Sequence, residues 1–329
     1  MSAIADTSHW RSTGAWRTLF RDQPTVPLVG LLALLVVAIE IAEPGIVGPA
    51  WVGVIVRAAI PLAILAGCQT LTMLTGGIDL SVAAIGSMAG FVTATLIHSP
   101  GGAVQGVVVV LIVAALAGAV TGVGVGVFRV HPLIMTLGMS FVVLGLSNVW
   151  QLQTVQTGAG VPPQLRTLGS GGFLEVFPYS LVVFVPLTLL ILFGLRRTGY
   201  GRLLYAIGDN PIAARLSGAR SWQVLVVLYV ISAVLAAIAG LLVSGLSNTA
   251  SVSLVDGYLL SSVAAAVIGG TSIFGGRGGF GGTIVGSLIL TVLNALLIVV
   301  GLPEPSRQVV FGGIIVIVAA AYTRVTAES

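Results

Sequence analysis

Long apolar segments separated by short polar ones make up almost the whole chain. A helix needs about 20 mostly apolar residues to cross the hydrocarbon core of a bilayer, and ten segments approach or reach that length. We therefore predict an all-α polytopic membrane protein with about ten transmembrane helices. Glycine and polar residues interrupt the third and eighth segments, which suits broken or re-entrant helices. The predicted spans are 27–43, 58–75, 81–97, 105–127, 132–151, 179–195, 223–246, 258–274, 280–300 and 307–323.

The composition indicates that lipid surrounds most of this chain. Of the 329 residues, 57% are hydrophobic and 7% are charged, whereas soluble domains carry about 25% charged residues. The first apolar run, 26–42, is longer than the apolar core of a typical signal peptide, so we interpret it as an uncleaved span. All fourteen basic residues are arginine, which excludes a phosphate loop that holds nucleotide phosphates with a lysine.

The arginines divide unequally between alternate loops, which predicts the orientation. Cytoplasmic loops carry an excess of basic residues, and an N-terminus in the cytoplasm places eleven arginines inside and three outside. Both termini are then cytoplasmic. We predict one transmembrane domain, 27–323, between cytoplasmic tails 1–26 and 324–329. The inside set is Arg11, Arg17, Arg21, Arg129, Arg196, Arg197, Arg202, Arg215, Arg220, Arg277 and Arg324, and the outside set is Arg57, Arg166 and Arg307.

The segment 196–222 is a basic loop between spans six and seven, and its residues predict a short helix. Asn210 is a good N-cap and Pro211 suits the first helical position, while Gly218 suits the residue just beyond the end. A helix of about two turns is marginal in water by itself, so we expect it to pack against something. Its exposed arginines, Arg215 and Arg220, suit a partner protein, although the segment could also be only a positively charged anchor.

The sequence LTGGIDLS, residues 74–81, places a carboxylate between two apolar spans. An ionised group there is costly unless it is paired, capping or hydrated. We predict that Asp79 is the N-cap of span three, close to Ser81 and near the positive end of the helix dipole. Gly76 and Gly77 allow the preceding tight turn. A structural role is favoured over a proton-relay or substrate role, and no second carboxylate lies nearby in the sequence to form a relay.

A second glycine-rich segment, IGGTSIFGGRGGFGG at 268–282, contains eight glycines. We interpret it as a site of close packing between membrane helices, which small residues permit. Its signature glycines are Gly269, Gly270, Gly275 and Gly276.

Polar residues inside the predicted spans have two interpretations. They either form hydrogen bonds to neighbouring helices or line a hydrophilic pathway. The long outside segment 152–178, which carries Glu175, either contacts an extracellular partner or only connects two spans. We find no nucleophile with a partner base and no metal-ligand spacing, since His98 and His131 lie in separate loops. The chain is therefore predicted to have no catalytic residue, metal or cofactor. The pathway candidates are Gln69, Asn148, Gln151 and Asn294.

Three segments, 74–90, 198–220 and 261–286, resemble the signature stretches of sugar ABC-importer permeases of the ribose/xylose/arabinose type. The resemblance implies a permease that pairs with a second copy or a related permease. It also implies two cytoplasmic subunits that bind ATP and magnesium, and an extracytoplasmic solute-binding protein. The loop at 199–218 would be the coupling helix that docks on the ATPase. Gly208-Asp209-Asn210 stands where the family usually has Gly-Gly-Asn. The coupling residues implied are Gly208, Asn210, Ala213, Ala214, Arg215 and Gly218.

These observations favour a permease that imports a monosaccharide or related polyol across a bacterial inner membrane, with no nucleic-acid partner. An ion-driven secondary transporter is a second hypothesis, but such proteins usually carry ionisable residues at the membrane midplane. No predicted span has a charge at its centre. A permease for branched-chain amino acids is the competing hypothesis within the superfamily, and the segment GGIDLS favours sugars by resemblance. The particular sugar remains open at this point.

Overall fold

The computed structural model describes residues 25–96, 102–154, 160–174 and 176–327. Most of these residues are helical. Predictions for Arg11, Arg17, Arg21, His98, Glu175 and nearly all of the tail 1–26 therefore lie outside the described residues. The helices are α1 (Thr25–Ala42), α2 (Pro49–Met73), α3 (Val82–Leu96), α4 (Gly102–Gly126), α5 (Pro132–Thr154), α6 (Pro163–Ser170), α7 (Leu181–Arg197), α8 (Gly199–Asp209), α9 (Pro211–Leu216), α10 (Ser221–Ser247), α11 (Tyr258–Ile268), α12 (Phe280–Val299) and α13 (Glu304–Ala327). Between α6 and α7 lies a small antiparallel pair, β1 (Gly172–Phe173) and β2 (Phe177–Pro178), with Gly172 opposite Pro178.

Each of the ten predicted spans coincides with a helix, but the helices differ in length. Within the described residues, α2, α4, α5, α10 and α12 are long and apolar enough to cross a membrane alone. The pair α7–α8 would make a sixth span if its bend of 68° lies within one span. The eighth prediction was too long: α11 has 11 residues and ends at Ile268, so 269–274 are turns. This polytopic all-helical architecture agrees with the predicted fold class.

The ends of α2 and α11 explain why the signature segments interrupt helices. Gly76 and Gly270 have φ values of +77° and +88°, which glycine adopts without strain. At each, two backbone hydrogen bonds turn the chain away from the helix axis. The Gly76 N–H donates to Met73 and that of Gly77 to Thr72, a Schellman-type ending. The same two bonds recur at Gly270 and Thr271.

The connections between helices gather at two ends of the bundle. One end, which we call the signature end, contains the loops 74–81, 127–131, 198–220 and 269–279. The loops are joined there by hydrogen bonds such as Thr136 Oγ1 to the Ile78 carbonyl at 3.2 Å. The other end, the opposite end, contains 43–48, 160–174, 176–180, 248–257 and 300–303. Gly257 and Glu304 line one cavity at this end.

The core lies around α10, which packs against α2, α3, α4 and α6. Close contact with α4 requires glycine: a β-carbon added at Gly118 would lie 2.4 Å from the Tyr229 carbonyl oxygen. A second contact joins α11 to α12, where a β-carbon at Gly282 would lie 2.0 Å from the Gly269 carbonyl oxygen. Small residues thus allow membrane helices to approach closely. The prediction of helix packing by the glycines of 268–282 is confirmed for Gly269 and Gly282.

The remaining signature glycines of this segment do not pack one helix on another. Gly275 and Gly276 have φ values of +95° and +70° and lie in turns beyond the end of α11. They still allow close backbone contact, but of a loop with a helix: a β-carbon at Gly275 would lie 2.8 Å from the Gly208 carbonyl oxygen of α8, and one at Gly276 3.1 Å from the Asp209 Cα. A loop is formed here because successive positive φ values cannot be accommodated in a right-handed helix.

Candidate functional site

The basic loop at the signature end folds into two helices that meet at Asn210. The short helix α9 begins as predicted: the Asn210 side-chain oxygen accepts hydrogen bonds from the N–H groups of Ile212 and Ala213 at 3.1 and 2.9 Å. It ends as predicted, because Gly218 has φ +85° and donates its N–H to the Arg215 carbonyl. Helix α8 was not predicted from the sequence; it starts where the Thr198 side chain accepts a hydrogen bond from the Gly201 N–H.

One side of α9 faces its own chain, and the other side is exposed. Ala214 is buried, whereas Ala213, Arg215 and Gly218 are exposed. A groove of about 610 Å³ runs along the helix and is lined by Asn210, Ala213, Ala214 and Gly218, among others. The coupling residues therefore divide between a surface that another protein could contact and a face that anchors the helix.

Gly208 connects this loop to both signature segments. A β-carbon at Gly208 would lie 1.8 Å from the Leu74 carbonyl oxygen and 2.5 Å from the Gly276 nitrogen. The Gly276 N–H donates to the Leu74 carbonyl at 3.0 Å, and the Tyr205 hydroxyl donates to the Gly278 carbonyl at 2.8 Å. We call Leu74, Gly208 and Gly276 the backbone junction. Because no side chain separates the three backbones, the junction has little room to deform.

The loop after α2 is held by Asp79, which is 1% exposed. One carboxylate oxygen accepts from the Ser81 N–H at 3.0 Å and the Ser81 hydroxyl at 2.6 Å. The other accepts from the Ser232 hydroxyl on α10 at 2.7 Å. The predicted N-cap was wrong by two residues: the Ser81 carbonyl accepts the first bond of α3, from Ile85. Asp79 lies before the cap, and its carboxylate accepts hydrogen bonds from Ser81, two residues further along the chain, and from Ser232 on α10.

The predicted pathway residues lie in different places. Gln69 is fully buried, and its amide donates to the Asp79 carbonyl at 2.8 Å and accepts from the Asp79 N–H at 3.2 Å. Asn148 is exposed and Gln151 is half-buried on α5. Asn294 on α12 lines the cavity at the opposite end. The structure thus brings only Asn294 to the wall of that cavity. Among the described residues, no group of three His, Cys, Asp or Glu could hold a metal ion.

Residues 52–319 match the family described as branched-chain amino acid transport system / permease component. The ribose import permease RbsC of Bacillus subtilis (strain 168) is 32% identical to this chain over 298 residues, which cover 91% of this chain and 92% of the relative. The fructose import permease FrcC of Rhizobium meliloti is 33% identical over 269 residues, covering 79% and 74%. RbsC of Escherichia coli (strain K12) is 35% identical over 250 residues, covering 75% and 78%. The chain belongs to the ABC sugar-import permease family. No solved structure matches it.

Membership of this family makes the chain a transport subunit rather than an enzyme. Its long apolar helices agree with a multi-pass membrane protein. Permeases of this kind act with ATPase and binding-protein partners in general.

Three exposed apolar residues at the signature end were missed by the sequence analysis. Ile212 and Leu216 on α9 are 63% and 85% exposed, and Phe274 in the loop 269–279 is 67% exposed. Ile212 and Leu216 are four residues apart and share one face of the helix. The four-residue spacing is visible in the sequence. Because most of the chain is apolar, the spacing does not by itself indicate an exposed surface, and only the exposed fractions of the two side chains do so. Apolar side chains exposed beside arginines are typical of an interaction surface.

Proposed function

We propose that this permease is the membrane subunit of an ATP-driven importer that takes up a monosaccharide or related polyol in the bacterial inner membrane. The observation that carries the proposal is the exposed helix α9, which is joined to both signature loops through the backbone junction. The relatives named for ribose and fructose import support the solute class. The branched-chain amino acid name of the family makes leucine the competing solute.

The partners follow from the two ends of the molecule. We place cytoplasmic subunits that bind ATP and magnesium against α9, with coupling contacts from Asn210, Ala213, Arg215 and Gly218. A second copy or a related permease pairs with this chain in the bilayer, and a binding protein delivers the solute to the opposite end. ATP-driven closure of the partner subunits would then shift the population between two states of the permease.

This arrangement uses ten spans in one domain, 27–323, with both termini cytoplasmic. The arginine distribution supports it, as does the gathering of alternate loops at two ends of the bundle. Loop 196–222, with α8 and α9, then lies in the cytoplasm, and the cavity at Asn294 opens outside.

The test is uptake by the tagged permease purified with its natural partners and reconstituted in vesicles with its binding protein. We expect ATP-dependent uptake of D-ribose or D-fructose that persists with an uncoupler, and none of L-leucine. Uptake that needs an ion gradient and no ATP would identify a secondary transporter. Leucine uptake without sugar uptake would identify an amino-acid permease.

The same assay tests the coupling surface. The Ala213→Trp variant should insert normally and lose at least about tenfold of its uptake rate, because a bulky ring would fill the groove along α9. Val104→Trp is the matched control, since Val104 is 71% exposed on α4, far from α9 in the sequence. Equal uptake by the two variants would refute the coupling assignment.

A further inference from the structure

A cavity of about 240 Å³ lies at the opposite end between α2, α11, α12 and α13. Its wall combines aromatic and aliphatic groups with several polar side chains. This combination is common in binding sites for small molecules, where a few polar groups fix the orientation of the ligand. The polar and aromatic residues of this cavity, which we call the opposite-end cavity, are Tyr258, Ser261, Thr291, Asn294, Glu304 and Phe311.

The charges at this cavity neutralise each other. Arg307 forms an ion pair with Glu304 and donates from Nη1 to the Asn294 side-chain oxygen at 2.8 Å. The Asn294 amide nitrogen and the second Glu304 oxygen have no hydrogen-bond partner among the described residues. The cavity therefore offers one amide donor and one carboxylate acceptor, and the Arg307 Nε–H beside it also has no partner among the described residues. The Ser261 and Thr291 hydroxyls donate to the Gly257 and Ser287 carbonyls, so their oxygens remain available only as acceptors.

These groups suit a neutral molecule with many hydroxyl groups. A hydroxyl both donates and accepts, so neighbouring hydroxyls of one sugar can satisfy the amide, the carboxylate and the serine together. An amino acid would require an unpaired cation for its carboxylate and an unpaired anion for its ammonium group. Arg307 and Glu304 already pair with each other, so a zwitterion would have to break that pair.

A line of polar residues leads from the cavity towards the signature end. Thr283, Ser287, Thr291 and Asn294 are spaced by four, four and three residues and share one face of α12. Their exposure decreases along the helix: Asn294 is half-buried, whereas Ser287 and Thr283 are fully buried. Near the signature end, Thr283 Oγ1 lies 2.6 Å from Thr70 Oγ1 of α2.

The polar face of α12 is covered by protein where the backbones of α11 and α12 are in contact. The backbone of Gly282 lies against the Gly269 carbonyl with no room for a side chain. Gly269 precedes by seven residues the Gly276 of the backbone junction, which contacts Gly208. The contact between α11 and α12 is thus connected through the short loop 269–279 to the segment that carries α9.

We propose that the opposite-end cavity is the first binding site of a neutral polyhydroxylated solute in this permease, and that the polar face of α12 is the route that opens below it. The proposal rests on the proposed function and deepens it by assigning the site and its preference for uncharged solutes. Asn294 and Glu304 form hydrogen bonds to the solute, and Arg307 positions both.

The test places a thiol in the cavity. Cys68 is the only native cysteine and is fully buried, so Ser261→Cys introduces one accessible thiol. The importer carrying this variant is reconstituted with its partners and treated with a bulky, membrane-impermeant methanethiosulfonate reagent. Uptake of D-ribose and D-fructose is measured together with the stimulation of ATP hydrolysis by the sugar-loaded binding protein. Ser253→Cys, exposed in the loop before α11, is the matched control.

We expect the label on Ser261→Cys to abolish uptake while the stimulation of ATP hydrolysis persists, because docking and coupling remain intact. The label on Ser253→Cys should change neither. Unchanged uptake, or loss of both readouts together, would overturn the cavity assignment and leave the proposed function standing. If the unlabelled importer takes up neither sugar, the proposed function fails and the site fails with it.

A second variant tests the cavity independently, in case the Ser261→Cys variant does not insert into the membrane. Glu304→Gln replaces the charged carboxylate acceptor by a neutral amide carbonyl and should raise the KM for the transported sugar about tenfold, since a hydrogen bond to a charged group becomes a weaker one to a neutral group. The stimulated rate of ATP hydrolysis should stay the same. An unchanged KM would contradict the role of Glu304 as a contact to the solute.

Discussion

At the signature end backbone lies directly against backbone, whereas at the opposite end polar side chains face an open cavity. Leu74, Gly208 and Gly276 meet without an intervening side chain. Asn294 and Glu304 instead retain hydrogen-bonding groups that no described residue uses. The first arrangement has little freedom to deform, which suits the transmission of movement. The second leaves groups available to a ligand, which suits recognition. We infer that one helical bundle can separate coupling from binding by how tightly each end is packed.

The largest expected effect comes from disrupting the backbone junction at the signature end. Gly208→Val should lower the free energy of unfolding by about 3 kcal/mol or more and abolish uptake, because the nearest obstacles to its side chain are backbone atoms that cannot rotate away. Thermal unfolding in mild detergent measures the first effect and vesicle uptake the second.

Gly281→Ala is the matched control for that variant. A β-carbon at Gly281, also at the signature end, would meet nothing within 4 Å. It should leave both stability and uptake close to those of the original permease. Equal behaviour of the two variants would mean that the backbone junction is not packed as described.

An intermediate effect is expected at the buried carboxylate. Ser232→Ala removes the hydroxyl that donates to Asp79 at 2.7 Å and should lower the free energy of unfolding by about 1.5–3 kcal/mol, as for other hydrogen bonds to charged groups. Ser247→Ala, on the same helix, removes a bond donated to the Val243 carbonyl of that helix and one accepted from the nearby, exposed Thr249 hydroxyl. Since neither partner is charged, it should cost less than half as much. A smaller loss at Ser232 than at Ser247 would contradict the assignment of Asp79 as the bond that holds the signature loop to α10.

The smallest effect on stability is expected at the opposite end. Glu304→Gln should change the free energy of unfolding by less than about 1 kcal/mol, because the Glu304 side chain is 61% exposed and exposed ion pairs contribute little. Thermal unfolding checks this prediction. A loss as large as that of Ser232→Ala would show that both ends serve mainly to hold the bundle together, and the contrast between them would disappear.

Much of the secondary structure could be predicted from local residues. Apolar runs set the helices, and Asn210, Pro211 and Gly218 set the limits of α9, because capping involves atoms within a few residues. Two local predictions failed for local reasons. Asp79 was placed at the cap although its carboxylate reaches Ser81, and α8 was overlooked because its N-cap, Thr198, follows directly on a long apolar span.

The tertiary structure alone decided which residues share a site. The contacts of Gly208 with Leu74 and Gly276 join positions more than sixty residues apart, and a sequence gives no distance between them. The sequence does not distinguish polar residues that form hydrogen bonds between helices from those that line a cavity. In the folded chain, Gln69 is buried against Asp79 and Asn294 lies on a cavity wall. The sequence by itself determined a membrane bundle with a capped basic loop, since hydrophobicity and capping act locally. Packing decided which residues form the backbone junction and which line the opposite-end cavity, since both depend on which helices meet.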